Sequence, residues 1–155
     1  MYQHVLAPLD GSELAECVLP HVEVIATGCN ISRITLIRIV TPLRLYGGIE
    51  THISPGERQH LEADSIEVAT QYLEEHARKL REKGAFVETK VLFGKITEEL
   101  IEYVTDNEVD LVVIATHGRS GVSKLFLGST AERILHASPV PVLMVHAPGH
   151  VPQGV

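Results

Sequence analysis

The sequence lacks several features that would by themselves define a class of function. Lys and Arg number 13 against 20 Asp and Glu, a formal charge of -7, so a groove that neutralises the phosphates of DNA or RNA is not expected. No apolar run reaches the roughly 18 residues of a membrane span, and residues 1–13 lack the basic and apolar regions of a signal peptide. We therefore expect a cytoplasmic protein that binds neither nucleic acid nor membrane.

Metal-binding and phosphate-binding motifs are also missing. Cys17 and Cys29 form neither a C-x-x-C pair nor a zinc pattern, and we interpret both as small core residues. The nine histidines include no H-x-x-x-H pair on a convincing helix, so no metal site is predicted. There is no G-x-G-x-x-G fingerprint, and the segment FGKIT at 93–97 lacks the flanking residues of a P-loop.

Apolar segments alternate with helical patterns along the chain. Strands are predicted near residues 4–7, where Pro8 should end the first strand, and near 34–40, 85–92, 111–115 and 141–145. Helices are predicted between Ser12 and Gly28 and at 57–83, 97–104 and 129–137. This order predicts one α/β domain with a doubly wound parallel sheet and helices on both faces. The charged segment 85–92 is typical of an edge strand, and the long loop 41–56 is typical of a functional or mobile segment.

Finer expectations concern the helices. Asp10 or Ser12 should cap the first helix, Pro20 should kink it, and Gly28 should end it. The helix at 57–83 should bury one stripe of apolar side chains, formed by Leu61, Val68, Tyr72, Leu73, Ala77 and Leu80.

The topology suggests where a ligand would bind. In doubly wound sheets the site lies outside the carboxyl ends of the strands, at the point where the strand order reverses. Asp10 follows the first strand and Gly118 follows the fourth, so both face one crevice if these strands are neighbours. Gly118 and Gly121 allow close backbone approach, and Ser129 opens a helix whose amino terminus attracts anions. Ser129 also fits a capping box with Glu132, and a cap can coexist with phosphate binding.

Four segments together resemble the universal stress protein family: VLAPLDGSE, DLVVIATHGRSG, LFLGSTAERIL and SPVPVLMV. They span nearly the whole chain in the family's order. The resemblance implies an open, Rossmann-like five-stranded parallel sheet in the order 3-2-1-4-5, within a single domain at 1–147. Residues 148–155 are rich in Pro and Gly and are expected to form a flexible tail. It further implies an ATP site and a homodimer formed through the last strand, 141–145.

The nucleotide-binding branch of that family carries the pattern G-x2-G-x9-G-[ST]. Gly118, Gly128 and Ser129 match it, with nine residues between the two glycines, but Ala115 stands at the first glycine position. Ala adds one methyl group where the family's backbone approaches the nucleotide, so binding is expected to be weakened or preserved rather than blocked.

The same resemblance implies a set of nucleotide-binding residues. Asp10 would reach the nucleoside, Ile39 or Val40 the adenine, and residues 128–130 the phosphates. Ile39 fits plain core packing equally well, Arg119 fits solvent as well as phosphate, and His117 fits a ribose contact or a structural hydrogen bond but not a catalytic base. The full set is Pro8, Leu9, Asp10, Ile39, Val40, Ala115, Thr116, His117, Gly118, Arg119, Ser120, Gly121, Gly128, Ser129 and Thr130.

Three functions remain open. The leading hypothesis is a nucleotide-dependent stress-response switch that binds ATP, with AMP or ADP as alternatives and Mg²⁺ as a companion ion. A slow ATP hydrolase is the second, although Asp10 has no second obvious carboxylate for a metal or a water. A dimeric interaction module without nucleotide is the third, and Ala115 is the feature in its favour.

Overall fold

The structure, a computed structural model, describes residues 2–42, 54–116 and 129–146. Within these ranges the strands are β1 His4–Pro8, β2 Arg33–Val40, β3 Val87–Phe93, β4 Leu111–Thr116 and β5 Val142–His146, and the helices are α1 Glu13–Glu16, α2 Leu19–Cys29, α3 Pro55–Arg81, α4 Ile96–Asp106 and α5 Ser129–Ala137. None of these helices combines the length and apolar character that spanning a bilayer requires. The predicted loop residues 43–53 and the predicted tail lie outside the described residues.

The five strands form one parallel sheet in the order β3-β2-β1-β4-β5. The α/β prediction and the implied strand order are therefore confirmed. β3 lies at one edge, as its charges indicated, and β5 lies at the other. β1 lies between β2 and β4, so the chain leaves the carboxyl end of β1 at the point where the strand order reverses.

Both faces of the sheet are buried. Val5 and Ala7 of β1 belong to the core that packs against α2 and α3, while Leu6 belongs to the core that packs against α4 and α5. This two-sided burial is the reason that β1, β2 and β4 are nearly continuous apolar runs.

The first helical region divides into two helices rather than one kinked helix. α1 ends at Glu16 and α2 begins at Leu19, with Pro20 in its first turn, where a missing backbone N–H costs nothing. The prediction that Gly28 ends the helix is wrong. α2 continues through Gly28, and Asn30 forms the left-handed cap with φ 52°, a conformation that Asn tolerates.

The long helix α3 begins two residues earlier than expected. Ser54 and Glu57 form a reciprocal capping box at its start. The buried stripe contains Leu73, Ala77 and Leu80 as predicted, but Ala69 occupies the next core position. Leu61 and Val68 are 44% and 59% exposed, so their assignment to the stripe is wrong, since a one-residue step rotates a helix position by about 100°.

A polar cluster joins the amino ends of β1, β2 and β4. His4 is 3% exposed; its Nδ1 lies 2.9 Å from the Asn107 carbonyl oxygen and its Nε2 lies 2.8 Å from Thr35 Oγ1. The Asp110 carboxylate accepts from the backbone N–H groups of Gln3 and His4 at 2.6 and 2.8 Å. Nδ1 also lies 2.9 Å from Arg33 Nη2, which only donates, so the tautomer of the ring decides whether Nδ1 donates to Asn107 or accepts from Arg33. Burial lowers the pKa of His4.

Candidate functional site

A cavity of about 260 Å³ opens at the carboxyl ends of β1, β2 and β4. It lies at the reversal of strand order, where doubly wound proteins bind ligands. Residues from six elements and one connecting turn contribute to its wall. The lining residues are Pro8, Leu9, Asp10, Leu14, Ala15, Ile37, Ile39, Ile96, Ile114, Ala115, Ser129, Thr130, Ala131 and Ile134.

The wall of this cavity is mostly apolar, with polar groups at two places. Ile37, Ile39 and Ile114 belong to the apolar part, Asp10 is the one carboxylate in the lining, and Ser129 and Thr130 supply hydroxyl groups. An apolar slot with a few placed polar groups is the usual form of a small-molecule site. This cavity suits a flat apolar group joined to a polar or anionic one.

Asp10 is oriented by the turn that follows β1. Its Oδ1 accepts from the backbone N–H of Ser12 at 2.9 Å and from Ser12 Oγ at 2.6 Å. Ser12 Oγ in turn accepts from the N–H of Ala15 at 3.1 Å, so Ser12 is the cap of α1 and Asp10 supports it. Gly11 between them has φ +89°, which side chains with a Cβ rarely adopt. The exposed Asp10 carboxylate therefore has a defined local geometry.

The amino terminus of α5 faces the same cavity. Ser129 and Thr130 are its first residues, and Ala131 and Ile134 anchor it in the core. The unpaired N–H groups of a first helical turn attract anions. Ser129 is the first described residue of α5, and the preceding Gly128 lies outside the described residues, so the capping box of Ser129 and Glu132 stays a prediction.

β4 brings two of the predicted residues to the crevice region. Ala115 is half-buried, lines the cavity and also packs against the core on the α2 and α3 face. Thr116 is 1% exposed and its Oγ1 lies 3.0 Å from His146 Nδ1 of β5. Thr116 is not part of the cavity lining, and it lies opposite His146 in the register of β4 with β5.

The predicted site residues thus fall into four groups, one of which is Thr116 alone, buried beside His146. Those that line the cavity are Pro8, Leu9, Asp10, Ile39, Ala115, Ser129 and Thr130. Val40 lines a second, adjoining cavity of about 530 Å³ that shares Asp10, Ile39 and Ile96 with the first. Outside the described residues lie His117, Gly118, Arg119, Ser120, Gly121 and Gly128. Binding by any of these residues stays a prediction.

Sequence reasoning missed half of the cavity wall. Leu14, Ala15 and Ile134 lie on the periodic apolar faces of α1 and α5, and periodicity does not distinguish a core position from a pocket position. Ile96 also lines the cavity, because it is the first residue of α4, the helix that follows β3. The second cavity also contains Arg38 and Asp64, which no motif identified.

Metal-binding groups are sparse in this part of the molecule. Within the described ranges, no three His, Cys, Asp or Glu side chains lie close enough together to hold a metal ion. Both cysteines are half-buried free thiols, and burial raises the pKa of Cys17. The fold and the crevice together define a doubly wound α/β protein with its candidate site at the reversal of strand order.

Comparison with known proteins gives the family. The model of the universal stress protein family matches residues 1–146, and the chain belongs to this family. Universal stress protein MJ0577 of Methanocaldococcus jannaschii is 26% identical over 156 residues, which cover 94% of this chain and 95% of that protein. The solved structure of MJ0577 superposes with a TM-score of 0.78 and covers 96% of this chain and 98% of that one.

Two further relatives share the fold and were solved with a nucleotide. A universal stress protein family protein from Arabidopsis thaliana, with AMP bound, is 15% identical with a TM-score of 0.66, covering 94% of this chain and 92% of its own. The universal stress protein from Archaeoglobus fulgidus, in complex with dAMP, is 18% identical with a TM-score of 0.56, covering 93% and 97%. At these identities the likeness is one of fold.

Proposed function

We propose that this protein binds an adenine nucleotide in the cavity at the carboxyl ends of β1, β2 and β4. The observation that carries the proposal is the split polarity of that cavity. Apolar strand ends form one wall, the Asp10 carboxylate stands at one side, and the amino terminus of α5 stands at another. A purine, a ribose and a phosphate group need these three environments.

Each part of the nucleotide has a partner in this arrangement. The adenine packs against Pro8, Leu9 and Ile39, with Val40 beside it. A ribose hydroxyl donates to Asp10, whose carboxylate only accepts. The phosphates meet Ser129 and Thr130, where the dipole of α5 favours negative charge. Residues 115–121 and Gly128 complete the ribose and phosphate contacts by resemblance to the family.

ATP is the proposed nucleotide, with AMP and ADP as alternatives. Two proteins of the same fold hold AMP and dAMP, which supports an adenine ligand without deciding the number of phosphates. Mg²⁺ fits as an ion brought by the phosphates, because it is usually held by one or two carboxylates together with phosphate oxygens. Asp10 is the carboxylate on the cavity wall.

We further propose a cytoplasmic stress-response switch formed by one domain at residues 1–147, with 148–155 as a tail. Dimerisation through β5 is part of this proposal. β5 is an edge strand of the sheet, and Leu143 in it is 39% exposed. An apolar edge strand pairs readily with a second copy. The same strand is paired with β4, in the register Ala115 to Val145, which connects the edge to the cavity.

Slow hydrolysis and loss of nucleotide binding are the alternatives. Among the described residues, the cavity offers one carboxylate and no His. No pair of groups is therefore available there to activate a water molecule for hydrolysis. Ala115 favours loss of binding, but its methyl group packs against the core as well as lining the cavity. We therefore expect Ala115 to weaken nucleotide binding rather than to abolish it.

Isothermal titration of ATP, ADP, AMP, adenosine and GTP into the purified protein tests the proposal. Adenine nucleotides should bind, and GTP should bind more weakly. Asp10→Asn should lower affinity by about 10-fold or more, since a hydrogen bond to a charged group contributes about 1.5–3 kcal/mol. Asp106→Asn, a change at an exposed carboxylate on α4, is the matched control.

Three outcomes would contradict particular parts of the proposal. No heat with any adenine nucleotide would favour the nucleotide-free module. Phosphate release at tens of turnovers per second, lost in Asp10→Asn, would favour an enzyme. A monomer in sedimentation experiments that stays monomeric with ATP would refute the dimer through β5.

A further inference from the structure

Arg38 of β2 is held between two neighbours next to the cavity. Its guanidinium carbon lies 5.3 Å from the centre of the Tyr72 ring of α3. Its second neighbour is Gly11, where an added Cβ would lie only 3.0 Å from Nη1, 3.1 Å from Nη2 and 3.2 Å from Cζ. The planar group therefore packs against the backbone of the turn that carries Asp10.

That turn is attached to β2 at two consecutive points. The N–H of Leu9 donates to the carbonyl oxygen of Ile37 at 2.9 Å. Gly11, two residues further along, lies against the guanidinium of Arg38. Asp10 lies between the two attachments, and its carboxylate is oriented by Ser12. Arg38 therefore contacts the turn at the residue directly after Asp10.

Tyr72 provides a fixed support for Arg38. Its hydroxyl donates to a carboxylate oxygen of Glu16 on α1 at 3.1 Å, and its ring lies edge-on to His76 at 4.8 Å. Burial, followed by the nearby Glu16 carboxylate, raises the pKa of Tyr72 far above its ordinary value. The phenol thus stays a neutral hydrogen-bond donor. The face of its ring lies against Arg38, and its hydroxyl is bonded to α1.

Arg38 does not act on Asp10 through an ion pair. The ion pairs among the described residues include none between these two side chains. The contacts with Tyr72 and Gly11 are made by the planar guanidinium, whose shape Lys cannot reproduce although it keeps the charge.

We propose that Arg38 is a positioning residue of the nucleotide site: packed between Tyr72 and Gly11, it holds the Asp10-Gly11-Ser12 turn in the form that presents the Asp10 carboxylate to the cavity. This inference rests on the proposed function, because it assigns Arg38 a role in binding the same ligand. It predicts that Arg38 affects the ribose end of the ligand and not its phosphates.

A charge series of ligands separates this role from direct phosphate binding. Adenosine, AMP and ATP are titrated into the wild type, Arg38→Lys, Asp10→Asn and the double variant, with Arg78→Lys as the control at an exposed arginine on α3. Arg38→Lys should weaken all three ligands by a similar factor, about 3- to 30-fold, because Lys keeps the charge but not the planar group that packs against Tyr72 and Gly11. The double variant should bind no more weakly than Asp10→Asn.

Two results of this titration would overturn the proposal. The first is a loss in Arg38→Lys that grows with ligand charge and spares adenosine. The second is full additivity in the double variant, because residues that act through one another are not additive.

Amide hydrogen exchange over residues 9–16 of the free protein gives a readout that needs no nucleotide. Arg38→Lys should speed exchange of the Ser12 N–H, which donates to Asp10, while Arg78→Lys leaves it unchanged. If the wild type binds no adenine compound, the proposed function fails, but this exchange still decides the role of Arg38. Unchanged exchange in Arg38→Lys would refute it.

Discussion

Substituting Gly11 by Ala tests the geometry of the turn that carries Asp10. Gly11 has φ +89°, and an L-residue in the left-handed region costs roughly 1–2 kcal/mol. Ala offsets part of that cost, about 0.4–1 kcal/mol, by restricting the unfolded chain. The backbone alone therefore predicts a loss of about 1 kcal/mol in the free energy of unfolding.

The neighbouring side chain adds a second contribution at this position. The new Cβ would lie 3.0 Å from Arg38 Nη1, closer than a relaxed contact between a carbon and a nitrogen atom. The guanidinium must shift by a few tenths of an ångström away from Gly11, and its contact with Tyr72, worth about 0.5–1 kcal/mol, is weakened. We expect a total loss of about 1–2 kcal/mol for Gly11→Ala.

Two other glycines supply matched controls. Gly84 has φ +92° with nothing near the added Cβ, so Gly84→Ala carries the backbone cost alone, about 1 kcal/mol. Gly28 lies inside α2, also with open space around it, so Gly28→Ala should stabilise the protein by about 0.5–1 kcal/mol.

Urea unfolding at 25 °C, with the slope against urea checked for constancy, measures all three variants. The expected order of stability is Gly28→Ala, wild type, Gly84→Ala and then Gly11→Ala. A Gly11→Ala protein as stable as Gly84→Ala would refute the close contact with Arg38. One as stable as the wild type would refute the strained turn itself.

Three further predictions concern the rest of the fold. Burial lowers the pKa of His4 in the folded state, so the unfolded chain binds the proton more readily. The free energy of unfolding should therefore fall as the pH drops below about 6.5. Urea midpoints at pH 7.5 and 5.5 should differ less in His4→Gln than in the wild type. Ser54→Ala removes the capping box of α3 and should cost about 1 kcal/mol, whereas Ser65→Ala, within the helix, should cost little; equal losses in urea would contradict the cap. Leu73→Ala, at a fully buried position, should cost about 2–5 kcal/mol, and the same change at the exposed Leu61 should lower the thermal midpoint much less.

Most of the element order could be predicted because it depends on local pattern. Two-sided burial of parallel strands requires apolar runs, and residues 34–40 and 111–115 are such runs. The helix ends were harder. Gly28 has the composition of a stop signal, yet Asn30 caps α2, because either residue tolerates the left-handed conformation and packing against the sheet decides the length.

The candidate site could be predicted only in part. Asp10 and Ser129 were identified because they follow or begin elements at the carboxyl edge of the sheet. Arg38 was not identified, because a single arginine in an apolar strand has no local signature. Its importance depends on Tyr72 and Gly11, which lie 34 and 27 positions away in the sequence and touch it only in the folded chain.

By itself the sequence determined the α/β class, the family resemblance and the identity of the groups available at the strand ends, because these follow from periodicity and from motif spacing along the chain. The tertiary structure decided which of those groups share a cavity. Asp10, Ile39 and Ser129 line the same cavity, while Thr116 is buried against His146. The physical reason is that strand order and register, which are set by long-range packing, choose the neighbours of each strand end, and local pattern contains no information on that choice.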